Sequence, residues 1–154
     1  MYLKGVKYFT TCTHEHEVGV GFVKKIDPLY QLIAEHYDIE VNDDCSTGEV
    51  HIPVMYWRKS NQIHKWFVDN TQGGEDKNCE PTYVSKKQLQ QLLDDITFAI
   101  EHKDPSGMPP QSGFFFGSTD ITDCYWENLN NTRSALEKLL KADKFESFIY
   151  QSSW

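Results

Sequence analysis

The segment YWRKSNQIHKWFV, residues 56–68, concentrates the side chains best suited to bind an anionic ligand. Arg58 and Lys59 stand where a strand is predicted to give way to a helix, and the free N–H groups and positive dipole end of a first helical turn favour an anion. Neighbouring rings can stack on a flat base, while Asn61 and His64 can read its polar edges. An ordinary amphipathic helix with a solvated polar stripe explains the pattern equally well. The ligand-binding residues predicted in this segment are Tyr56, Trp57, Arg58, Lys59, Asn61, His64, Lys65 and Trp66.

Arginine is scarce in this chain, which makes the position of Arg58 informative. Of 15 basic residues only Arg58 and Arg133 are arginine. A guanidinium group offers a planar fork that fits phosphate or carboxylate, and a lysine does not. Random drift between arginine and lysine codons explains the arginine at position 58 about as well as an anion-binding role does.

A second candidate segment, QSGFFFGSTD at 111–120, places small polar residues on both sides of three phenylalanines. Such flanks can bring backbone N–H groups close to phosphate oxygens. A buried strand with two tight turns is the simpler explanation, and we favour it for the phenylalanines. The ligand-binding residues predicted here are Ser112, Phe114, Phe116, Ser118 and Thr119.

Other chemistry has weaker support. His14 and His16 of HEHE could share a metal ion, but a solvated loop is the better explanation and no third ligand is indicated. The segment GVGFVKK lacks the spacing of a phosphate-binding P-loop. His64 is a candidate general base, with Asp69, Asp120 or Asp123 to orient it, although no spacing ties them together. We therefore expect no catalytic set, no metal and no cofactor.

The composition indicates a single globular domain over residues 1–154. The formal charge is −8, from 15 Lys+Arg against 23 Asp+Glu, which argues against a partner that is a nucleic acid polymer. No stretch approaches the roughly 20 apolar residues of a membrane span. Four cysteines, each more than thirty residues from the next, favour reduced thiols inside a cell over a zinc site. Aromatic residues make up 14% of the chain, enough for both core and ligand stacking.

The periodicity predicts an α+β fold, with a small, mostly antiparallel sheet packed with about four helices. Strands are expected at 2–10, broken near Gly5, at 49–57, an edge strand because of Pro53, and at 114–116. Residues 18–26 are a strand or a loop. Helices are expected at 28–37, 58–70, 86–102 and 124–142. Loops that we expect to be mobile lie near 71–82 and 103–113, and the aromatic tail is expected to dock on the body or on another subunit.

Two of these helices have specific features. Ser85 and Gln88 form a capping box for the third. In the second, Ile63, Trp66 and Phe67 share an apolar face, and the opposite, solvated stripe is predicted to contain Arg58, Asn61, Gln62, Lys65 and Asp69.

Long motifs in the chain resemble a widespread, uncharacterised family of small bacteriophage and prophage proteins. That family shows an opening close to MGLDMYL, a YWRKANxIHxWFV block, a Cys-Tyr-Val-Ser stretch and TQSGFFFGSTxYDxxY. This chain has MYL at 1–3, YWRK at 56–59, the pairs Ile63-His64, Trp66-Phe67 and Val84-Ser85, and QSGFFFGST at 111–119. It lacks the leading Gly-Leu-Asp, has Ser60 in place of Ala, and has Asp-Ile-Thr-Asp in place of Tyr-Asp. The resemblance covers about 100 of the 154 residues.

The resemblance implies a phage accessory protein of the host cytoplasm, and by analogy an anti-defence sponge. Such a sponge binds and sequesters a nucleotide-derived immune second messenger, either a cyclic ADP-ribose variant or a cyclic oligonucleotide. We expect a homo-oligomer, because small sponges often complete a pocket between subunits. The alternatives are an enzyme that cleaves such a nucleotide with His64 as acid/base, and an inhibitor that binds a host protein.

Overall fold

The computed structural model describes residues 1–11, 16–18, 22–24, 27–39, 47–113 and 118–153. The order of elements is β1 (Tyr2–Thr10), β2 (His16–Val18), β3 (Phe22–Lys24), α1 (Pro28–Tyr37), β4 (Thr47–Tyr56), α2 (Asn61–Thr71), β5 (Thr82–Val84), α3 (Lys86–His102), α4 (Asp123–Ala142) and β6 (Ser147–Gln151), with a short 3₁₀ turn at Pro105–Gly107. The α+β class predicted from the sequence is confirmed.

The main sheet has four strands in the order β4-β1-β6-β5. Strand β6 runs antiparallel to both of its neighbours, pairing Tyr2 with Gln151 on one side and Val84 with Phe148 on the other. Strand β4 lies at an edge, as Pro53 predicts. Strands β2 and β3 form a separate antiparallel pair.

The chain divides into two compact units. One comprises Met1–Val6 and Ile52–Trp154, and the other comprises Lys7–His51. In the smaller unit, Asp27 caps α1 by accepting a hydrogen bond from the N–H of Leu29, and the rings of Phe9 and Tyr30 stack 5.7 Å apart. The single domain expected over 1–154 stays a prediction.

The core of the larger unit lies between the sheet and helices α2, α3 and α4. Each helix contributes an apolar stripe at helical spacing, because residues three and four apart share a face. Fully buried members of this core are Leu3, Ile63, Phe67, Leu89, Leu92, Ile96, Leu129, Leu136 and Tyr150. The predicted capping box of Ser85 and Gln88 is present at the start of α3.

Several element predictions were wrong. Strand β1 is continuous through Gly5, where a side chain would collide with the Phe145 ring, so the glycine permits close packing rather than a break. Helix α2 begins at Asn61 rather than residue 58, because Lys59 has a left-handed backbone with φ of 57°. Strand β5 was not predicted. The tail, expected to dock on the body or on another subunit, forms β6, an interior strand of the sheet. The strand predicted at 114–116 lies outside the described residues.

Candidate functional site

A cleft of about 430 Å³ lies between the end of β4 and one face of α4. Among the described residues that line it, Arg58 is the one with a formal charge, and Asn128, Asn131 and Thr132 supply amide and hydroxyl groups. A guanidinium with no carboxylate among the described lining residues favours an anion, and the amides can donate or accept hydrogen bonds. The full set of lining residues is Val54, Met55, Tyr56, Trp57, Arg58, Asn128, Asn131, Thr132 and Ala135.

An exposed pair of tyrosines adjoins this cleft. The ring centroids of Tyr56 and Tyr2 lie 5.1 Å apart on neighbouring strands, tilted by 40°. Tyr56 is 61% exposed and Tyr2 is 40% exposed. Accessible ring faces at the border of a cationic cleft provide a surface on which a flat base can stack.

Trp57, by contrast, is part of the structure that forms the cleft. Its ring is 6% exposed, and its indole N–H donates to Thr132 Oγ1 at 2.9 Å. The Thr132 hydroxyl in turn donates to the carbonyl of Asn128. The backbone of Trp57 also exchanges two hydrogen bonds with Met1, whose ammonium has its pKa lowered by burial. Trp57 therefore fixes the end of β4 against α4.

The start of α2 is buried and lacks a side-chain cap. Ser60 occupies the N-cap position, yet its hydroxyl makes no capping bond, and among the described residues it has no hydrogen-bond partner. The N–H groups of the first helical turn have no acceptor within the helix. This end of α2 is therefore rich in hydrogen-bond donors.

A smaller pocket of about 180 Å³ lies beside the start of α2. Asn128 lines both this pocket and the cleft, so the two depressions adjoin. The pocket carries opposite charges on Lys59 and Asp120. Its remaining lining residues are Gln62, Ser118, Thr122, Cys124, Tyr125 and Asn128.

Hydrogen bonds hold the wall of the smaller pocket in place. The Asn61 amide donates to the carbonyl of Ser118 at 2.9 Å, and the Ser118 hydroxyl donates to Asp120 Oδ2 at 2.6 Å. The hydroxyl of Tyr125 donates to the carbonyl of Met108. Burial raises the pKa of Tyr125 to about 12, so this phenol stays neutral. Segment 118–120 is thereby fastened to the start of α2.

The polar stripe predicted for α2 is solvated only in part. Asn61 is 2% exposed and Gln62 is 3% exposed, and the Asn61 side-chain amide donates to the carbonyl of Ser118. Lys65 and Asp69 do lie on an accessible face, where they form an ion pair at 2.8 Å.

His64 is fully buried in a hydrogen-bonded network. Its Nε2 lies 3.3 Å from the carboxylate of Asp76, which can only accept, so Nε2 carries the proton. Its Nδ1 therefore accepts from the hydroxyl of Tyr150 at 2.7 Å. Burial lowers the pKa of His64, opposed in part by Asp76, and burial raises the pKa of Tyr150. Asp69, Asp120 and Asp123, the partners considered from the sequence, are not the carboxylate that His64 contacts.

The remaining predicted residues are distributed as follows. Trp66 is 4% exposed and its indole N–H donates to Asp95 at 2.7 Å. Ser112 and Thr119 are exposed and line neither depression. Phe114, Phe116 and His14 lie outside the described residues, and of the His16 side chain nothing is described.

The structure thus brings Tyr56, Trp57 and Arg58 to the cleft and Lys59 and Ser118 to the adjoining pocket, and Asn61 is hydrogen-bonded to Ser118. Sequence reasoning missed the contribution of α4. Asn128, Asn131 and Thr132 follow the three- and four-residue spacing of one helix face, and that polar patch was the available signal.

Comparisons with protein-family models, curated proteins and solved structures give no match. Over the described ranges, no group of three His, Cys, Asp or Glu side chains is arranged to hold a metal ion. None of the described helices combines the length and apolarity needed to cross a bilayer.

Proposed function

We propose that this chain binds an anionic, nucleotide-derived ligand in the cleft at Arg58 and sequesters it. One observation carries the proposal: Arg58 is the charged group of a cleft that is bordered by exposed tyrosine rings and lined by side-chain amides. The biological role follows the resemblance to phage proteins. The ligand is then an immune second messenger of the host, of the cyclic ADP-ribose or cyclic oligonucleotide class, and its capture inhibits anti-phage defence in the host cytoplasm.

Each part of such a ligand has a partner in the cleft. A phosphate meets the Arg58 guanidinium, which can donate two parallel hydrogen bonds to its oxygens. A base stacks on Tyr56, supported by Tyr2 behind it. Asn128 and Asn131 read polar edges, since a carboxamide both donates and accepts. The Arg58 charge attracts an anion locally, although the chain as a whole has a formal charge of −8.

Sequestration fits the site better than turnover does. His64, the acid/base of the enzyme alternative, has no exposed surface, and both ring nitrogens lie in hydrogen bonds to Tyr150 and Asp76. A general base must reach the proton that it abstracts, directly or through one water. The position of His64 therefore lends that alternative no support.

The experiment is a calorimetric titration of the protein with cyclic ADP-ribose and its variants and with cyclic dinucleotides. Arg58→Ala should weaken binding by roughly 10- to 100-fold, since hydrogen bonds to charged groups contribute about 1.5–3 kcal/mol. The melting temperature of the free protein should hardly change, because Arg58 is exposed. Arg133→Ala is the matched control, since Arg133 is absent from the described lining of the cleft.

Heat denaturation of the loaded protein separates a sponge from an enzyme. A sponge releases intact ligand, which mass spectrometry identifies, whereas an enzyme releases an altered product. Absence of binding to every nucleotide tested, together with capture of a host protein, would contradict the proposal and favour a protein-binding inhibitor. The homo-oligomer remains part of the proposal, and light scattering with and without ligand tests it.

A further inference from the structure

The smaller pocket beside the start of α2 contains an unsatisfied polar side chain. Gln62 is 3% exposed and lines the pocket, and its Nε2 has no hydrogen-bond partner among the described residues. A buried donor without an acceptor destabilises the folded protein. The hydroxyl of Ser60, two residues before Gln62, also has no hydrogen-bond partner among the described residues. A water, an ion or a ligand in the pocket can satisfy such a group.

The chemistry of the pocket selects the kind of ligand group. Lys59 donates, the Asp120 carboxylate accepts, and the Gln62 carboxamide does either, since a half-turn of its last side-chain bond exchanges its nitrogen and oxygen. Ser118 occupies one acceptor position of Asp120, and a carboxylate has about four. A phosphate can only be repelled by that carboxylate, whereas a hydroxyl can donate to it and accept from Lys59 or Gln62.

The size and place of the pocket complete the argument. Its volume of about 180 Å³ is below the roughly 300–1,000 Å³ of a whole ligand pocket, so it suits one part of a ligand. It adjoins the Arg58 cleft through Asn128, and Arg58 and Lys59 are consecutive in the chain. In a nucleotide, the group attached to both phosphate and base is the sugar.

We infer that this pocket binds a free ribose hydroxyl of the ligand, with Asp120 accepting a hydrogen bond from it and Gln62 and Lys59 donating hydrogen bonds to it. The inference rests on the proposed function and deepens it. The ligand class is a ribonucleotide, and the site discriminates against the deoxy form because a lost hydroxyl leaves Asp120 and Gln62 without their partner.

The test compares adenosine 5′-monophosphate with its 2′-deoxy analogue by titration calorimetry. In the native protein the ribonucleotide should bind about 10- to 100-fold more tightly, the effect of hydrogen bonds to a charged group. Asp120→Asn should reduce this ratio to about 3-fold or less, since it halves the acceptor capacity that faces the hydroxyl. Asp123→Asn is the matched control and should keep the native ratio, because Asp123 is not among the described lining residues of this pocket.

A second variant separates binding from folding. Gln62→Leu removes a buried, unpartnered donor, so the melting temperature of the free protein should hold or rise while the ribonucleotide preference falls. A purely structural role for Gln62 predicts the reverse, a lower melting temperature with the preference unchanged.

The outcomes distinguish the two proposals. The ribose assignment is overturned if the native protein binds both nucleotides equally, or if Asp120→Asn keeps the ribonucleotide preference of the native protein. In either case, loss of nucleotide binding in Arg58→Ala still supports the proposed function. If neither nucleotide binds but cyclic ADP-ribose does, the ribose assignment is wrong and the proposed function stands. If cyclic ADP-ribose and the cyclic dinucleotides also fail to bind, the proposed function is wrong as well.

Discussion

Replacing Tyr150 by Phe removes one buried hydroxyl and tests whether His64 is a structural residue. The ring of Tyr150 stacks on Phe67 with centroids 4.0 Å apart, and Phe keeps that contact. What is lost is the hydroxyl that donates to His64 Nδ1 at 2.7 Å. Neither Tyr150 nor His64 has any exposed surface, so water does not replace the donor.

The expected cost follows from this geometry. A buried acceptor that loses its donor costs about 1–3 kcal/mol, and here the acceptor is an imidazole nitrogen held in the core. For a chain of this length, about 1 kcal/mol lowers the melting temperature by roughly 2–4 °C. We therefore expect Tyr150→Phe to melt about 4–8 °C lower than the native protein, taking about 2 kcal/mol as the central value.

Urea unfolding and thermal melting followed by circular dichroism measure this loss. The control is Tyr83→Phe, because the Tyr83 ring is 62% exposed on β5 and should change the free energy of unfolding by less than about 0.5 kcal/mol. If Tyr150→Phe cost no more than Tyr83→Phe, the hydrogen-bond network would not hold His64.

Two further predictions concern the same core. Trp57→Phe should lower the free energy of unfolding in urea by about 2 kcal/mol, because it removes the hydrogen bond to Thr132 and part of the buried apolar area. A variant as stable as the native protein would refute the structural role of Trp57. Burial holds the pKa of folded His64 below its ordinary 6.5, so the unfolded chain takes up a proton first. Stability should therefore be complete above about pH 6.5 and fall as the pH drops below it, by at most about 1.4 kcal/mol per pH unit. His64→Gln should remove that part of the slope, and an unchanged slope would contradict the assignment.

Local sequence signals account for the helices that were predicted well. Asp27 and Pro28 at the start of α1, and Ser85 with Gln88 at the start of α3, act on backbone groups within four residues of themselves. The capping hydrogen bonds and the spacing of an apolar stripe are both local features, so the sequence predicts these helices without knowledge of the rest of the chain.

Strand β6 could not be recognised in this way. Its residues Phe148, Ile149 and Tyr150 are buried in succession, so the alternation of a half-exposed strand is absent. Only its pairing with β1 and β5, which are distant in the chain, identifies it as an interior strand.

The sequence predicted the strand-to-helix junction at residues 58 and 59, but not which of the neighbouring side chains are buried. Arg58 and Lys59 do lie at a strand-to-helix junction beside a cleft. Trp57 and Trp66 are hydrogen-bonded to Thr132 and Asp95, which are distant in the chain. No local sequence pattern predicts these partners. The sequence alone does not distinguish a tryptophan that stacks on a ligand from one that packs in the core, even when a cation is next to it.

The central claim, that the Arg58 cleft binds nucleotide, is tested most directly by the indole N–H resonances in a ¹⁵N correlation spectrum. The Trp57 indole hydrogen-bonds to Thr132 in the wall of the cleft, whereas the Trp66 indole is held by Asp95. On titration with cyclic ADP-ribose or adenosine 5′-monophosphate, the Trp57 resonance should shift and saturate while that of Trp66 stays in place. A Trp57 resonance that does not move at saturating nucleotide, or that moves equally in Arg58→Ala, would contradict the account.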